Sequence, residues 1–136
     1  MEEIRWHYRF RNFSGAFHRL QEPLESGKSL SDLERDGVMR RFIYTSESAW
    51  KLLKDYLEYS GVEIDKVTPR SVIKEAFAAK LIDGGDDWMG LLDMQNRISH
   101  KYDAKYFKAA EEKIRFCFLG LLNRLHQKLE AEIDAR

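Results

Sequence analysis

Residues that interrupt helices are scarce in this sequence, which has eight glycines and two prolines among 136 residues. Strong helix formers such as Leu, Ala, Glu, Lys and Arg are common instead, so the composition favours an all-α fold. The single cysteine, Cys117, excludes an intramolecular disulfide and a zinc site built on several thiolates. Because a chain without disulfides fits a reducing compartment, we expect a cytoplasmic protein.

Long apolar runs and net charge are also missing. No run approaches the roughly 20 apolar residues that a membrane span needs, and the opening stretch MEEIRWHYRF lacks the apolar segment of a secretory signal. The 23 basic and 23 acidic residues cancel, which excludes broad electrostatic attraction to nucleic acid or to a membrane surface. At this length we expect one domain, spanning residues 1–136, with one core.

Apolar side chains recur at alternating intervals of four and three residues, which is the spacing of one helix face. The first segment shows this most clearly, with Trp6, Phe10, Phe13, Phe17, Leu20 and Leu24. The predicted helices lie within residues 6–27, 31–61, 68–80, 87–102 and 105–132. Four of them are long or medium and the third is short. This pattern predicts an antiparallel four-helix up-and-down bundle with an additional short helix.

Several residues indicate where these helices begin and which faces they bury. Ser31 and Glu34 have the spacing of a capping box, and Thr68 stands before a first-turn proline. The stretch DGGDDW, residues 83–88, predicts a turn and an acidic N-cap for the fourth helix rather than a metal loop. Cys117 falls on the apolar stripe of the last helix, which predicts a buried, unreactive thiol.

Motifs that bind cofactors or metals are not found in the sequence. It has no glycine-rich loop followed by Lys and Ser or Thr, no His-Glu-x-x-His and no paired Cys-x-x-Cys. His7, His18 and His126 are far apart in sequence, and we predict that they are surface or boundary residues rather than ligands. We therefore expect no cofactor and no bound metal.

The stretch NRISHKYD, residues 96–103, concentrates polar groups at the end of the fourth helix. Asn96 and His100 are one turn apart on the same helix face, with Arg97 beside them. Histidine can act as acid or base near neutral pH, and a neighbouring guanidinium can stabilise phosphate charge. Tyr102 lies about 200° around a regular helix from His100. Either the helix loosens before Asp103, or the two side chains serve different surfaces.

The segment LLDMQNRISHKYD resembles the signature of the HEPN superfamily, in which an Arg is followed by four residues, His, one residue and Tyr. More narrowly, the chain resembles the nucleotidyltransferase substrate-binding protein family, the HepT-like partners of minimal nucleotidyltransferases. Two further stretches resemble the same family in the same order, LERDGVMRRFIYTSESAWKLLKDYLEYSG and TPRSVIKEAFAAKLIDGGDDW. The resemblance therefore covers most of the chain.

The resemblance implies a helical bundle that forms a homodimer, with two polar motifs facing a shared groove. It also implies a separately encoded nucleotidyltransferase partner in a two-gene module of the toxin–antitoxin type. Two functions follow. In the first, the chain is an accessory substrate-binding subunit that binds nucleotide or presents Tyr102 for AMP transfer. In the second, it is a metal-independent endoribonuclease toxin that uses His100 on RNA and is neutralised by the transferase.

One position departs from the family signature. Gln95 occupies the place of the motif Arg, five residues before His100, and its uncharged amide stabilises phosphate charge less than a guanidinium. Arg97 is two residues later, about 200° around a regular helix. We therefore rank the accessory subunit above the ribonuclease and keep Gln95, Asn96, Arg97, His100 and Tyr102 as the predicted binding residues. Whether Arg41 or Glu47 reaches the same groove is left open.

Overall fold

Helices form most of the part of the chain that the computed structural model describes, residues 3–135, and no strand occurs there. The helices are α1 (Arg5–Glu25), α2 (Asp32–Tyr59), α3 (Pro69–Ala78), α4 (Gly85–His100), α5 (Ala104–Lys113) and α6 (Leu119–Asp134). A π-helical turn, Ile114–Phe118, joins α5 to α6 without a break. Helices α1, α2, α4 and the continuous α5–α6 unit are the long members, and α3 is the short addition. None of the described helices is long and apolar enough to cross a membrane.

Contacts between side chains give the directions of the helices. Arg9 near the start of α1 is 2.8 Å from Asp55 near the end of α2, so these two helices are antiparallel. Ser14 in α1 hydrogen-bonds to His126 in α6, whereas Arg115 reaches the carbonyl of Leu24, so α1 also opposes the α5–α6 unit. The predicted all-α, antiparallel up-and-down bundle with a short extra helix is confirmed.

The apolar stripes predicted from spacing form the core. The stripe of α1 is entirely buried, and it comprises Trp6, Phe10, Phe13, Phe17, Leu20 and Leu24. It packs mainly against α2, where Phe42, Ala49 and Leu52 are fully buried. Each large apolar side chain removed from water contributes roughly 1.5–3 kcal/mol, so these two helices supply much of the driving force for folding.

The predicted helix starts in α2 and α3 are confirmed by their hydrogen bonds. Ser31 Oγ accepts from the backbone of Glu34 at 3.1 Å, and Glu34 Oε1 accepts from the backbone of Ser31 at 2.8 Å. Thr68 and Ser71 exchange an equivalent pair of bonds before α3. The acidic N-cap predicted for α4 is wrong, because Gly84 occupies that position with φ 65°. A Cβ at Gly84 would lie 3.3 Å from Leu121, so both conformation and space favour glycine.

The π-helical turn corrects the prediction for Cys117. A π turn accommodates one extra residue, so the buried position after Ile114 moves from Cys117 to Phe118. Phe118 is 1% exposed and stacks on Phe42 with ring centroids 5.8 Å apart, whereas Cys117 is only half-buried. The same shift leaves Phe116 80% exposed.

Among residues 3–135, two titratable groups are buried in the bundle. Burial disfavours the charged form of Asp55, but the hydrogen bond and charge of Arg9, with Lys54 and Arg5, outweigh it and lower the pKa of Asp55. His126 was predicted to be a surface or boundary residue, and this is wrong because it is 6% exposed. Its Nε2 lies 2.8 Å from Ser14 Oγ, and burial lowers its pKa.

Candidate functional site

Gln95 is held by α2. Its Nε2 donates a 2.7 Å hydrogen bond to Glu47 Oε2, and Glu47 also lies 3.6 Å from the ammonium of Lys51. The amide thus contacts a carboxylate at the position where the HEPN signature has a guanidinium. Glu47 and Lys51 also border a cleft of about 310 Å³ between α1 and α2. Arg41 is directed elsewhere, since its Nη1 donates to the carbonyl of Arg19 at 2.7 Å.

Arg97 is directed towards α5. Its guanidinium carbon lies 3.7 Å from the centre of the Tyr106 ring, a short cation–π contact. Tyr106 is positioned at the start of α5, where Asp103 Oδ1 caps the helix by accepting from the Tyr106 backbone at 3.1 Å. The residue Arg97 is nevertheless exposed.

His100 is oriented by its own helix. Its Nδ1 lies 2.7 Å from the backbone carbonyl of Asn96, one turn earlier. Because a carbonyl can only accept, this contact requires a proton on Nδ1 and leaves Nε2 of the neutral ring with a free lone pair. Asn96 therefore helps to position His100 through its backbone rather than through its amide.

Tyr102 lies outside the helix. Helix α4 ends at His100, and Lys101 has an extended conformation with φ −150° and ψ 126°. This is the first of the two alternatives predicted from spacing, in which the helix loosens. The ring of Tyr102 packs edge-on against Phe107 with centroids 5.0 Å apart, yet the residue is 64% exposed.

The hydroxyl of Tyr102 is bound by a residue that the sequence did not indicate. It donates to both carboxylate oxygens of Asp36, at 3.1 and 3.2 Å. The hydrogen bond to Asp36, followed by desolvation and by the negative charges of Asp36 and Asp32, raises the pKa of Tyr102, since the neutral phenol is the donor. Asp36 and Tyr102 are 66 residues apart, and neither has a sequence context that links it to the other.

The five predicted residues do not form one pocket within the protomer. Gln95 and Tyr102 contact α2 at Glu47 and Asp36, which are about 16 Å apart along that helix. Between them, Arg97 is directed towards α5. Only Asn96 and His100 contact each other directly. Within residues 3–135, no group of three or more His, Cys, Asp or Glu side chains is placed to hold a metal ion.

A family model described as nucleotidyltransferase substrate binding protein like matches residues 8–131, which include all five predicted residues and Asp36. The chain belongs to this family. A search of curated proteins gave no match. The nucleotidyltransferase substrate-binding-like family name supports a role in substrate binding for a nucleotidyltransferase and implies a nucleotidyltransferase as partner. Placement in the wider HEPN superfamily stays a prediction.

Proposed function

We propose that this chain is the accessory subunit of a separately encoded nucleotidyltransferase and presents the Tyr102 hydroxyl as an acceptor of AMP. The observation that carries the proposal is the contact between Tyr102 and Asp36. The phenol is exposed to solvent, and both oxygens of one carboxylate accept from its hydroxyl. A second protein can therefore reach the oxygen, and a proton acceptor is already in contact with it.

The chemistry needs only ATP and the partner transferase. The phenolic oxygen of Tyr102 attacks the α-phosphorus of ATP, an O–P bond forms, and the bond from that phosphorus to the bridging oxygen of pyrophosphate breaks. Pyrophosphate leaves with the electron pair of that bond. Asp36 accepts the phenolic proton and passes it to solvent. Because the neutral phenol is a poor nucleophile and its pKa is raised, a positioned acceptor for the proton is needed.

The other predicted residues flank Tyr102 and complete the proposal. Arg97, which is exposed, and the free Nε2 of His100 contact nucleotide phosphate or the partner, with Asn96 orienting His100. Gln95, through Glu47, fixes α4 against α2. Through the family resemblance, the proposal also includes a homodimer and a two-gene module of the toxin–antitoxin type. It includes a cytoplasmic location as well, which the single cysteine favours.

The test uses the intact chain and the nucleotidyltransferase encoded next to it. The two proteins are incubated with ATP and Mg²⁺, and the intact mass of the chain is measured, followed by peptide mapping. We expect a stable complex and a mass increase of one AMP group located on Tyr102. Tyr102→Phe should abolish the increase, whereas Tyr44→Phe should not, since Tyr44 is a comparably exposed tyrosine on α2. A mass increase that persists in Tyr102→Phe would contradict the proposal, as would the absence of both complex and modification.

A metal-independent ribonuclease is the second candidate, and the geometry of His100 favours it. A neutral ring with a free Nε2 can take the proton of a ribose 2′-hydroxyl as that oxygen attacks the adjacent phosphate. The arrangement of Gln95 opposes it, because an uncharged amide bound to the Glu47 carboxylate supplies no positive charge to the transition state. We therefore rank this function second.

A further inference from the structure

A cavity of about 510 Å³ lies at the end of the bundle opposite Tyr102, between the α3–α4 connection and the middle of α6. Trp88, which lines it, precedes His100 by about 18 Å along α4. The volume lies within the range of small-molecule sites, about 300–1,000 Å³. No part of the proposed modification at Tyr102 uses this cavity.

The lining of the cavity combines apolar and cationic residues. The apolar residues include Leu121, Trp88 and Phe77, and Phe77 is 52% exposed. The cationic residues are Lys80, Arg124 and Lys128. Arg124 and Lys128 are one turn apart on α6, so their side chains share a face.

The positive charges of the cavity exceed the negative charge beside them. Asp83 is the acidic residue of the lining, and its carboxylate lies 3.4 Å from Arg124. Lys128 donates at 2.9 Å to the backbone carbonyl of Lys80, which is a neutral acceptor. Among residues 3–135, no carboxylate lies within 4 Å of the ammonium group of Lys80 or of Lys128. The cavity therefore favours an anionic occupant.

Lys80 stands where the backbone favours glycine. Its φ is 61°, and within residues 3–135 it is the one non-glycine residue with positive φ. The backbone of Lys80 donates to the carbonyl of Phe77 at 3.0 Å and that of Leu81 to Ala76 at 2.9 Å, the two bonds of a Schellman C-cap. The equivalent left-handed positions after α1 and α2 are Gly27 and Gly61. Fold stability does not explain a lysine here, whereas a requirement for positive charge does.

From these observations we infer that the cavity binds a small phosphorylated ligand with an aromatic body, of the nucleoside phosphate class. The phosphate contacts Lys80, Arg124 and Lys128, and the planar ring lies against Phe77. The inference names the class of substrate that the family name leaves open, and it holds or fails independently of AMP transfer to Tyr102.

The test measures binding to the isolated chain by calorimetry, without the transferase, using AMP, adenosine and inorganic phosphate as separate probes. We expect AMP to bind at least about tenfold more tightly than either fragment, because it engages both the apolar and the cationic residues of the lining. Lys80→Gly should weaken AMP binding by about tenfold or more, while the melting temperature of the free protein should be no lower than that of the wild type. Lys108→Ala, which removes an exposed charge on α5, should change neither quantity.

Arg124→Gln supplies a second variant whose backbone is unaffected, and it should also weaken AMP binding. Equal binding of AMP and phosphate would overturn the aromatic part of the inference. The whole inference is overturned if AMP does not bind, or if Lys80→Gly and Arg124→Gln bind it as tightly as the wild type. A loss of AMP binding in Tyr102→Phe, with normal binding in Lys80→Gly, would place the nucleotide at the other end of α4. None of these results changes whether Tyr102 is modified by the transferase, so the two proposals fail separately.

Discussion

Gln95 and Glu47 join α4 to α2 through a single 2.7 Å hydrogen bond between an amide and a carboxylate. The bond occupies the position at which the HEPN signature has a charged guanidinium. The hydrogen bond therefore fixes this end of α4 to α2. It also places the negative charge of Glu47 where a bound phosphate would need a positive charge.

The hydrogen bond between Gln95 and Glu47 should contribute modestly to stability. Because Glu47 is about 41% exposed, we expect Gln95→Ala to lower the free energy of unfolding by roughly 0.5–1 kcal/mol. Urea unfolding of Gln95→Ala, Glu47→Ala and the double variant gives the coupling energy between the two side chains. Strictly additive effects would show that the bond contributes no net stability.

Cleavage of RNA should be absent. Because Gln95 occupies the motif position, neither the wild-type chain nor His100→Ala should cleave a labelled single-stranded RNA above the background rate when a metal chelator is present. The measurement is the fraction of RNA cleaved over time, with a buffer control for spontaneous hydrolysis. Faster cleavage by the wild type, abolished in His100→Ala, would reverse the ranking of the two proposed functions.

The carboxylate of Asp36 should accelerate AMP transfer to Tyr102. Asp36→Asn retains an oxygen that accepts the phenolic hydrogen bond but cannot take up the proton at neutral pH, so we expect the rate to fall by roughly 100-fold. The initial rate of mass increase is measured at saturating transferase, with Asp65→Asn as the control, since Asp65 is an exposed carboxylate in the connection between α2 and α3 and does not contact the hydroxyl. A rate for Asp36→Asn equal to that of the wild type would show that Asp36 only positions the ring.

Regular periodicity made much of the bundle predictable. Six apolar residues in register fixed the buried face of α1, and the capping box at Ser31 fixed the start of α2, because both signals are local. The burial of Phe118 instead of Cys117 in the last helical unit was not predictable in this way. Both residues are apolar and adjacent, and the π-helical turn that selects between them depends on how α5 and α6 pack against the rest of the bundle.

The candidate site shows the same division between local and distant contacts. The pairing of Asn96 with His100 follows from one turn of helix, although the backbone carbonyl rather than the amide makes the contact. The partners of Gln95 and Tyr102 are 48 and 66 residues away. Such contacts depend on how α4 lies against α2, and no spacing within one helix specifies that.

The buried imidazole of His126 should make stability depend on pH near neutrality. Burial lowers its pKa below the ordinary value of 6.5, so below that pH the unfolded chain binds a proton that the folded chain does not. Stability contributed by neutral His126 is therefore complete above about pH 6.5 and falls as the pH decreases, by at most about 1.4 kcal/mol per pH unit. Asp55 acts in a separate, more acidic range, because its pKa is lowered from 3.8 and its contribution is lost only as the carboxyl becomes protonated.

Urea unfolding between about pH 7.5 and pH 5 measures the His126 contribution, and we expect the free energy of unfolding of the wild type to fall over that range. Replacing the hydrogen-bonded pair together, as Ser14→Ala with His126→Leu, removes the titrating group without leaving a buried hydroxyl unpaired, so most of the pH dependence should disappear. His100→Gln, which removes an exposed imidazole, should keep it. The contrary result is a double variant that loses as much of its free energy of unfolding as the wild type between these pH values. In that case the pH dependence arises from another group, and protonation of His126 does not destabilise the folded protein.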